Sequence, residues 1–169
     1  MRMYKTIRFC RFILRRRILM LRLMFAKSGK ERAAYLKKAK VFAHIGENFY
    51  YEPHKLPSEP HLVAVGDNVN IATDVAILNH DIISYMINNM PNQRKCSVRR
   101  GNVTIGNNVF VGGRSIILYD VTIGNNVIIG AGSIVTKDIP SNSVAAGVPA
   151  KVIGVFDETV AKYQTENPA

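Results

Sequence analysis

The chain has 169 residues, the size of one domain with a substantial core, and a formal net charge of +11. Residues 1–40 hold 14 of the 23 lysines and arginines and one of the 12 acidic residues, which leaves 9 basic and 11 acidic residues for 41–169. A body of charge −2 lacks the basic density of a phosphate-neutralising surface. The longest uncharged run, 121–136, is too short to span a bilayer.

The N-terminus and the cysteines predict the compartment. Three arginines at 15–17 and a fourth at Arg22 interrupt the apolar residues, so no signal peptide is predicted. Cys10 and Cys96 lie far apart in dissimilar contexts and do not form a disulfide framework. We therefore expect a protein of the reducing cytoplasm.

Residues 1–40 are predicted to form a basic amphipathic helical arm, with a second helical piece at 29–40. Four arginines recur at spacings that place them on one helical face: Arg8, Arg11, Arg15 and Arg22. Three roles are open for this arm: its apolar face packs on the body or across an oligomer, residues 1–27 contact an anionic membrane surface, or it binds nucleic acid. The first two are favoured, so no nucleic-acid partner is expected.

A repeat of six residues dominates the C-terminal half. Isoleucine or valine recurs at every sixth position from Ile105 to Val135, and glycine follows it at four of these positions. Six is three times the strand period, which indicates a short strand and a tight turn repeated without pause. The recurring apolar side chain is predicted to point inward, and Gly and Asn suit the corners. Such coils stack at about 4.8 Å into an all-β solenoid.

A weaker stretch of the same character runs over 45–77. The interval from Ile77 to Ile105 is not a multiple of six, so an insertion interrupts the repeat. Residues 81–100 are predicted to form an excursion loop, and a loop of this length in a compact repeat is usually functional. The predicted organisation is an arm at 1–40, a repeat domain at 41–155 and a C-terminal tail at 156–169.

The repeat resembles that of the hexapeptide-repeat acyltransferases, as do two segments after it, Gly-Ala-Gly-Ser-Ile-Val-Thr-Lys-Asp-Ile-Pro at 130–140 and Ala-Ala-Gly-Val-Pro-Ala-Lys at 145–151. The nearest branch resembles the maltose, galactoside and nodulation-factor O-acetyltransferases and related polysaccharide O-acetyltransferases. The resemblance covers about 61–155. It implies a left-handed parallel β-helix, an exception to the right-handed crossover rule. It also implies a homotrimer with active sites between subunits, and acetyl-CoA as donor.

His80 is the candidate general base. Acetyl transfer to a hydroxyl needs a group that accepts the hydroxyl proton, and a neutral imidazole suits this near pH 7. His80 lies where the repeat stops and the excursion begins, and the resemblance implies the catalytic histidine at this position. The other histidines precede the regular repeat, so no metal site with three histidine ligands is predicted: His44, His54 and His61.

The resemblance implies a donor site on five residues. Gly113 and Ala131 are placed at coil corners whose backbone contacts the pantetheine amides, where small residues let that arm lie close. Thr136 and Lys137 are placed near the nucleotide end. Lys151 is placed at the CoA phosphate, where a lysine acts as a point charge.

The acceptor site departs from the pattern of the sugar enzymes. Three residues beyond Phe49, where those enzymes have an acceptor-binding asparagine, this chain has Glu52. Glu52 binds a sugar hydroxyl, orients His80 or is simply exposed, and the three interpretations stay open. The other acceptor candidates are Asn79, Asp81 and Tyr85.

We therefore predict an acetyl-CoA-dependent O-acetyltransferase that acts on a hydroxyl of a sugar or glycan precursor, by direct transfer in a ternary complex. No covalent intermediate is predicted, because Cys96 has no evident base beside it. One alternative is N-acetylation of an amino sugar or antibiotic. Another is a non-catalytic solenoid scaffold at a membrane. The expected location is the cytoplasm, at the inner face of the membrane if the arm binds there.

Overall fold

The computed structural model describes residue 14 and residues 16–168. Four helices occur in this part of the chain: α1, which contains residue 14 and residues 16–25, α2 over Gly29–Lys38, α3 over Ile83–Asn89 and α4 over Phe156–Glu166. A 3-10 turn covers Pro60–Leu62. Three of the four arginines used to predict the arm, Arg8, Arg11 and Arg15, lie outside the described residues.

Thirteen short strands of the described chain form three sheets. The first sheet contains β1 (His44–Ile45), β3 (Val63–Val65), β6 (Val103–Ile105) and β9 (Val121–Ile123). The second contains β2 (Tyr50–Tyr51), β4 (Val69–Ile71), β7 (Val109–Val111), β10 (Val127–Ile129), β12 (Ser143–Gly147) and β13 (Ala150–Val155). The third contains β5 (Ala76–Leu78), β8 (Ile116–Leu118) and β11 (Ile134–Val135). All pairings within the sheets are parallel except that of β12 with β13.

From β3 to β11 the chain visits the three sheets in turn, and one circuit takes three of the six-residue units where the repeat is regular. Val103 pairs with Val121, for example, which lies three units later in the sequence. The insertion is visible in the same sheet. Val63 pairs with Val103, and the sequence interval between these two residues is more than twice that between Val103 and Val121. The additional residues lie in the excursion after β5, which contains α3.

The recurring apolar residues point into the coil, as the spacing predicts. They are at most 1% exposed: Ile105, Val111, Ile117, Ile123, Ile129 and Val135. Asparagines occupy one corner of successive circuits with φ between 51° and 57°, in the left-handed region that Asn tolerates: Asn48, Asn68, Asn108, Asn126 and Asn142. Their side chains form a ladder in which Asn68 Nδ2 donates to Asn108 Oδ1 and Asn108 Nδ2 to Asn126 Oδ1, each at 2.9 Å.

The described part of the arm packs on the repeat domain, which confirms the first of its three predicted roles. Leu23 and Leu36 are fully buried in the same core as the inward residues of the coil. Arg32 is 3% exposed and donates to the carbonyl oxygens of Ala26 at 2.9 Å and Tyr51 at 3.1 Å. The approach is close, since a Cβ on Gly29 would lie 2.6 Å from the Tyr50 ring.

At the other end, β13 turns back antiparallel to β12, and α4 follows in the segment predicted as a tail, 156–169. No helix in the described chain has the length and apolarity needed to cross a membrane.

Candidate active site

His80 lies where the excursion leaves the coil. It follows β5 closely, and its backbone forms an antiparallel bridge with Arg100, which returns the chain to the coil. The His80 side chain is 26% exposed, and its Nδ1 lies 2.7 Å from Oε2 of Glu59. A carboxylate accepts from Nδ1–H, so the lone pair of the neutral imidazole is on Nε2. The imidazole is therefore oriented as a base.

Glu59 is held in place by more than the histidine. It lies just before the 3-10 turn, its side chain is 18% exposed, and its Oε1 is 3.5 Å from Nε of Arg100. The carboxylate thus binds both residues of the bridge that closes the excursion. The sequence pattern does not identify Glu59, because this residue lies in the loop before β3, outside the regular repeat.

Glu52 binds Arg32 of the arm, a contact that none of its three interpretations includes. Its Oε1 lies 2.8 Å from Nη2 of Arg32, and its side chain is 28% exposed. Since Glu52 follows β2 on the side where α2 packs, it holds the arm and does not orient His80, for which Glu59 is the partner.

Asp81 is adjacent to His80 and anchors the start of the excursion. Its Oδ2 accepts a hydrogen bond from the Tyr119 hydroxyl at 2.7 Å, and its Oδ1 accepts one from the Ile83 amide at 3.1 Å. The Tyr119 hydroxyl is the main cause that lowers the pKa of Asp81, and the same bond raises the pKa of Tyr119. Asp81 is thus a carboxylate at neutral pH, with one oxygen bound to the next circuit of the coil.

The end of the excursion is bound to the same corner. The Arg99 guanidinium carbon lies 5.0 Å from the centroid of the Tyr119 ring, and Nη2 is 3.0 Å from Oδ2 of Asp120. Gly101 allows this approach, because a Cβ there would overlap the Asp120 carboxylate. Both ends of the excursion therefore meet at Tyr119 and Asp120, which fixes the backbone on either side of His80.

The two remaining acceptor candidates differ in accessibility. Asn79 is fully buried, and neither amide atom has a hydrogen-bond partner among the described residues. It cannot contact a dissolved acceptor without a rearrangement, so the structure argues against this candidate. Tyr85 lies on α3 and is 64% exposed, so its ring is accessible for stacking.

The residues of the implied donor site lie at neighbouring positions on the coil. Gly113 and Ala131 are at the same corner, one circuit apart, where the amide of Gly132 donates to the Gly113 carbonyl at 2.9 Å. The corner is open, because a Cβ on Gly132 would meet no described atom within 4 Å. Thr136 and Lys137 are exposed at the next corner, directly after β11.

Lys151 completes this set. It lies on β13 opposite Ala146, which is one circuit beyond Gly130, and its side chain is exposed. The corner at Gly132 is open and both lysines are exposed, so these positions are accessible from solvent.

Two grooves are lined in part by the segment 53–61, which contains Glu59. One, of about 400 Å³, lies between residues 53–58 and β5, and its wall includes Leu78, two residues before His80 in the chain. The other, of about 480 Å³, lies between α1 and residues 56–61 and includes Glu59 and Arg16 in its wall. In the described part of the chain, no three His, Cys, Asp or Glu side chains come together as metal ligands.

The comparison with known proteins agrees with the repeat. The family model "Bacterial transferase hexapeptide (six repeats)" matches residues 102–137. The galactoside O-acetyltransferase of Escherichia coli K12 is 39% identical over 147 residues, which are 83% of this chain and 68% of that protein. The chain belongs to the hexapeptide-repeat transferase family.

Two further proteins are similar to this chain over most of their length. Protein CapG of Staphylococcus aureus is 35% identical over 149 residues, which are 85% of this chain and 81% of that protein. A solved galactoside acetyltransferase in complex with coenzyme A superimposes with a TM-score of 0.66 at 34% identity, over 88% of this chain and 82% of that one. The predicted family is thereby confirmed.

Proposed function

We propose that this hexapeptide-repeat transferase is an acetyl-CoA-dependent O-acetyltransferase that acts on a hydroxyl of a sugar or glycan precursor. The observation that carries the proposal is the 2.7 Å contact of His80 Nδ1 with Glu59, which leaves Nε2 free to accept a proton. The similarity of this chain to a galactoside O-acetyltransferase supports a sugar acceptor, and its similarity to a structure with bound coenzyme A supports the acetyl donor.

His80 acts as general base and then as general acid. Its Nε2 accepts the proton of the acceptor hydroxyl while the oxygen forms its bond to the thioester carbon. The resulting imidazolium is stabilised by the Glu59 carboxylate, as in other carboxylate–histidine pairs. The C–S bond breaks, the imidazolium returns the proton to the departing sulfur, and the acetyl ester and free thiol leave. Transfer is direct, in a ternary complex.

The donor is proposed to lie along the corner formed by Gly113 and Ala131, whose exposed backbone suits the pantetheine amides. Thr136 and Lys137 then face the nucleotide end, and Lys151 supplies a positive charge for phosphate. The similarity to a galactoside acetyltransferase in complex with coenzyme A supports the choice of donor.

The acceptor is proposed to enter by the groove between residues 53–58 and β5. The wall of this groove includes Leu78, two residues before His80, and it carries hydroxyl, amine, imidazole and carboxylate groups that can bind sugar hydroxyls: Ser58, Lys55, His54 and Asp74. Asp81 and Tyr85 follow His80 in the chain, and the Tyr85 ring is exposed. Both side chains are proposed to contact the acceptor.

We also propose the finer features of assembly that the family implies. The coil winds as a left-handed β-helix, with an arm at 1–40, the repeat domain at 41–155 and the segment 156–169 after it. Three copies form a trimer with the active sites between them. Two apolar residues close to Lys151 in the chain, Val148 and Ile153, are each 68% exposed, which fits such an interface. The enzyme acts in the cytoplasm, peripheral at the inner face of the membrane.

The test is thiol release from acetyl-CoA with a panel of sugar acceptors. His80→Ala should lose about 10² to 10⁴ in rate, whereas His44→Ala, an exposed histidine on β1, should keep the wild-type rate. Near-wild-type turnover by His80→Ala would refute the base. An alkali-stable product would indicate N-acetylation, and failure to bind coenzyme A in calorimetry would favour a non-catalytic scaffold.

A further inference from the structure

Helix α1 has two apolar faces, and the repeat domain covers one of them. Leu23 and Ala26 are buried, and Leu19 packs against the core beside them. A second set recurs at intervals of four, three and four residues, so its members share a face. These four residues, which we call the α1 stripe, are 59, 46, 53 and 80% exposed: Leu14, Ile18, Leu21 and Phe25.

Two arginines border the α1 stripe. At about 100° per residue, Arg17 lies on one side of the stripe and Arg22 on the other. Arg17 is exposed, and the Arg22 guanidinium carbon is held 5.4 Å from the centroid of the Tyr35 ring. An apolar stripe between cations is the pattern of a helix that lies in the surface of an anionic bilayer.

The charge of the surrounding chain favours a lipid surface over a second copy of the arm. Residues 1–40 carry 14 basic residues and one acidic residue, so two arms in contact would repel each other. Anionic headgroups supply the opposite charge, and basic segments beside a membrane are attracted to them.

We propose that the α1 stripe docks on an anionic lipid bilayer, with Arg17 and Arg22 at the headgroups. The inference rests on the peripheral location in the proposed function and specifies the surface that produces it.

Docking of the α1 stripe would also place the bilayer near the candidate active site. Arg16, on the body side of α1, donates to the carbonyl oxygens of Ser58 at 2.8 Å and Pro57 at 3.3 Å, directly before Glu59. Since a helix is about 10–12 Å across, the bilayer would lie about one helix diameter from this loop, which suits a membrane-anchored acceptor.

The experiment is flotation of the full chain with vesicles of phosphatidylcholine alone and of phosphatidylcholine mixed with a minor share of phosphatidylglycerol. We expect the protein to float with the anionic vesicles and not with the neutral ones, and to be released by salt. Leu21→Gln with Phe25→Gln should reduce anionic-vesicle binding about tenfold or more. The matched control replaces an exposed aromatic residue on α4, Tyr163→Gln, and should bind as the wild type does.

Two further measurements keep the test independent of folding and of catalysis. Arg17→Glu alters an exposed charge without touching the core and should also weaken binding, whereas Lys162→Glu on α4 should not. Thiol release with a soluble acceptor should be unchanged in the stripe variant, so loss of docking is distinguished from loss of the proposed activity. The inference is overturned if the wild type does not float, or if the stripe variant floats equally. It is also overturned if the wild type does not bind vesicles and the oligomeric mass of the stripe variant, measured by light scattering, differs from that of the wild type. The stripe is then an interface between copies of the chain.

Discussion

Glu59 Oε2 lies 2.7 Å from His80 Nδ1, although the two residues are 21 positions apart in the chain. They meet because the first circuit of the coil is slightly longer than the regular ones, so the loop before β3 passes beside the end of β5. A carboxylate in this position fixes both the rotation and the tautomer of the imidazole. We therefore expect Glu59 to be a positioning residue that acts through His80.

Glu59→Gln should lower kcat about 10²-fold or more and leave KM nearly unchanged, because the imidazolium loses its carboxylate while the acceptor groove is retained. Glu59→Asp should recover part of the loss. The measurement is steady-state thiol release, together with ¹⁵N NMR of the imidazole, in which the glutamine variant should lose the preference for the Nδ1–H tautomer.

The matched control for this prediction is Glu52→Gln. Glu52 binds Arg32 and not His80, so this variant should keep kcat within a few fold at a temperature where it is folded, although it should lower the free energy of unfolding. If Glu59→Gln kept the wild-type kcat and tautomer preference, the contact would have no positioning role.

Arg16→Met should lower kcat by a smaller factor than Glu59→Gln. The arginine binds the carbonyl oxygens of Pro57 and Ser58, and its loss lets the loop before Glu59 move, which misplaces the imidazole without removing its partner. Thiol release with a soluble acceptor measures the effect. Arg17→Met, an exposed neighbour, serves as control and should have wild-type kcat in this assay. Equal rates for both variants would show that the contact does not support the site.

The periodic part of this molecule could be predicted from sequence, because each six-residue unit has the same physical task. Ile105 and Ile123 stack one circuit apart, point inward and are fully buried, as their spacing indicates. The glycine corner at Gly113 and Ala131 follows from the same register. A local pattern was sufficient wherever neighbouring circuits are equal in length.

The site depends on the parts of the chain where circuits are unequal. Glu59 is in the longer first circuit and His80 begins an insertion, so no fixed period links them. Glu52 was associated with the acceptor by its place in the sequence, but its contact is set by α2, whose docking the repeat does not specify. Asn79 is beside the histidine in sequence and buried in space, since alternate residues face opposite sides of a strand.

Tyr119→Phe should reduce stability in a pH-dependent way. The Tyr119 hydroxyl is the main cause that lowers the pKa of Asp81 below its ordinary value of 3.8. A carboxyl group with a lowered folded pKa contributes stability that is fully present above its unfolded pKa and is lost as pH falls through the folded pKa. The difference in Tm between wild type and Tyr119→Phe should therefore be constant above about pH 5 and shrink below about pH 4.

Thermal unfolding at fixed protein concentration between pH 3 and pH 7 measures this difference. Tyr163→Phe, at an exposed tyrosine on α4, is the control and should have the wild-type Tm throughout. A Tm difference for Tyr119→Phe that stayed the same at low pH would mean that the hydroxyl does not stabilise the Asp81 carboxylate.

Arg32→Met should be among the most destabilising single changes in the arm. Arg32 is 3% exposed, and its removal leaves the Glu52 carboxylate without its cation, while Oε2 of Glu52 already has no hydrogen-bond partner in the described chain. Breaking one partner of a buried pair costs about 3–5 kcal/mol, whereas replacing both with apolar residues is often nearly neutral. Arg32→Met combined with Glu52→Leu should therefore recover part of the loss, while the carbonyl oxygens of Ala26 and Tyr51 still lack their donor. Denaturant unfolding at fixed protein concentration measures both, with Lys162→Met, in an exposed pair with Glu166, as a control within about 0.5 kcal/mol of wild type. If the double variant were as unstable as the single one, the packing of Arg32 against α2 and β2, and not its charge, would hold the arm on the coil.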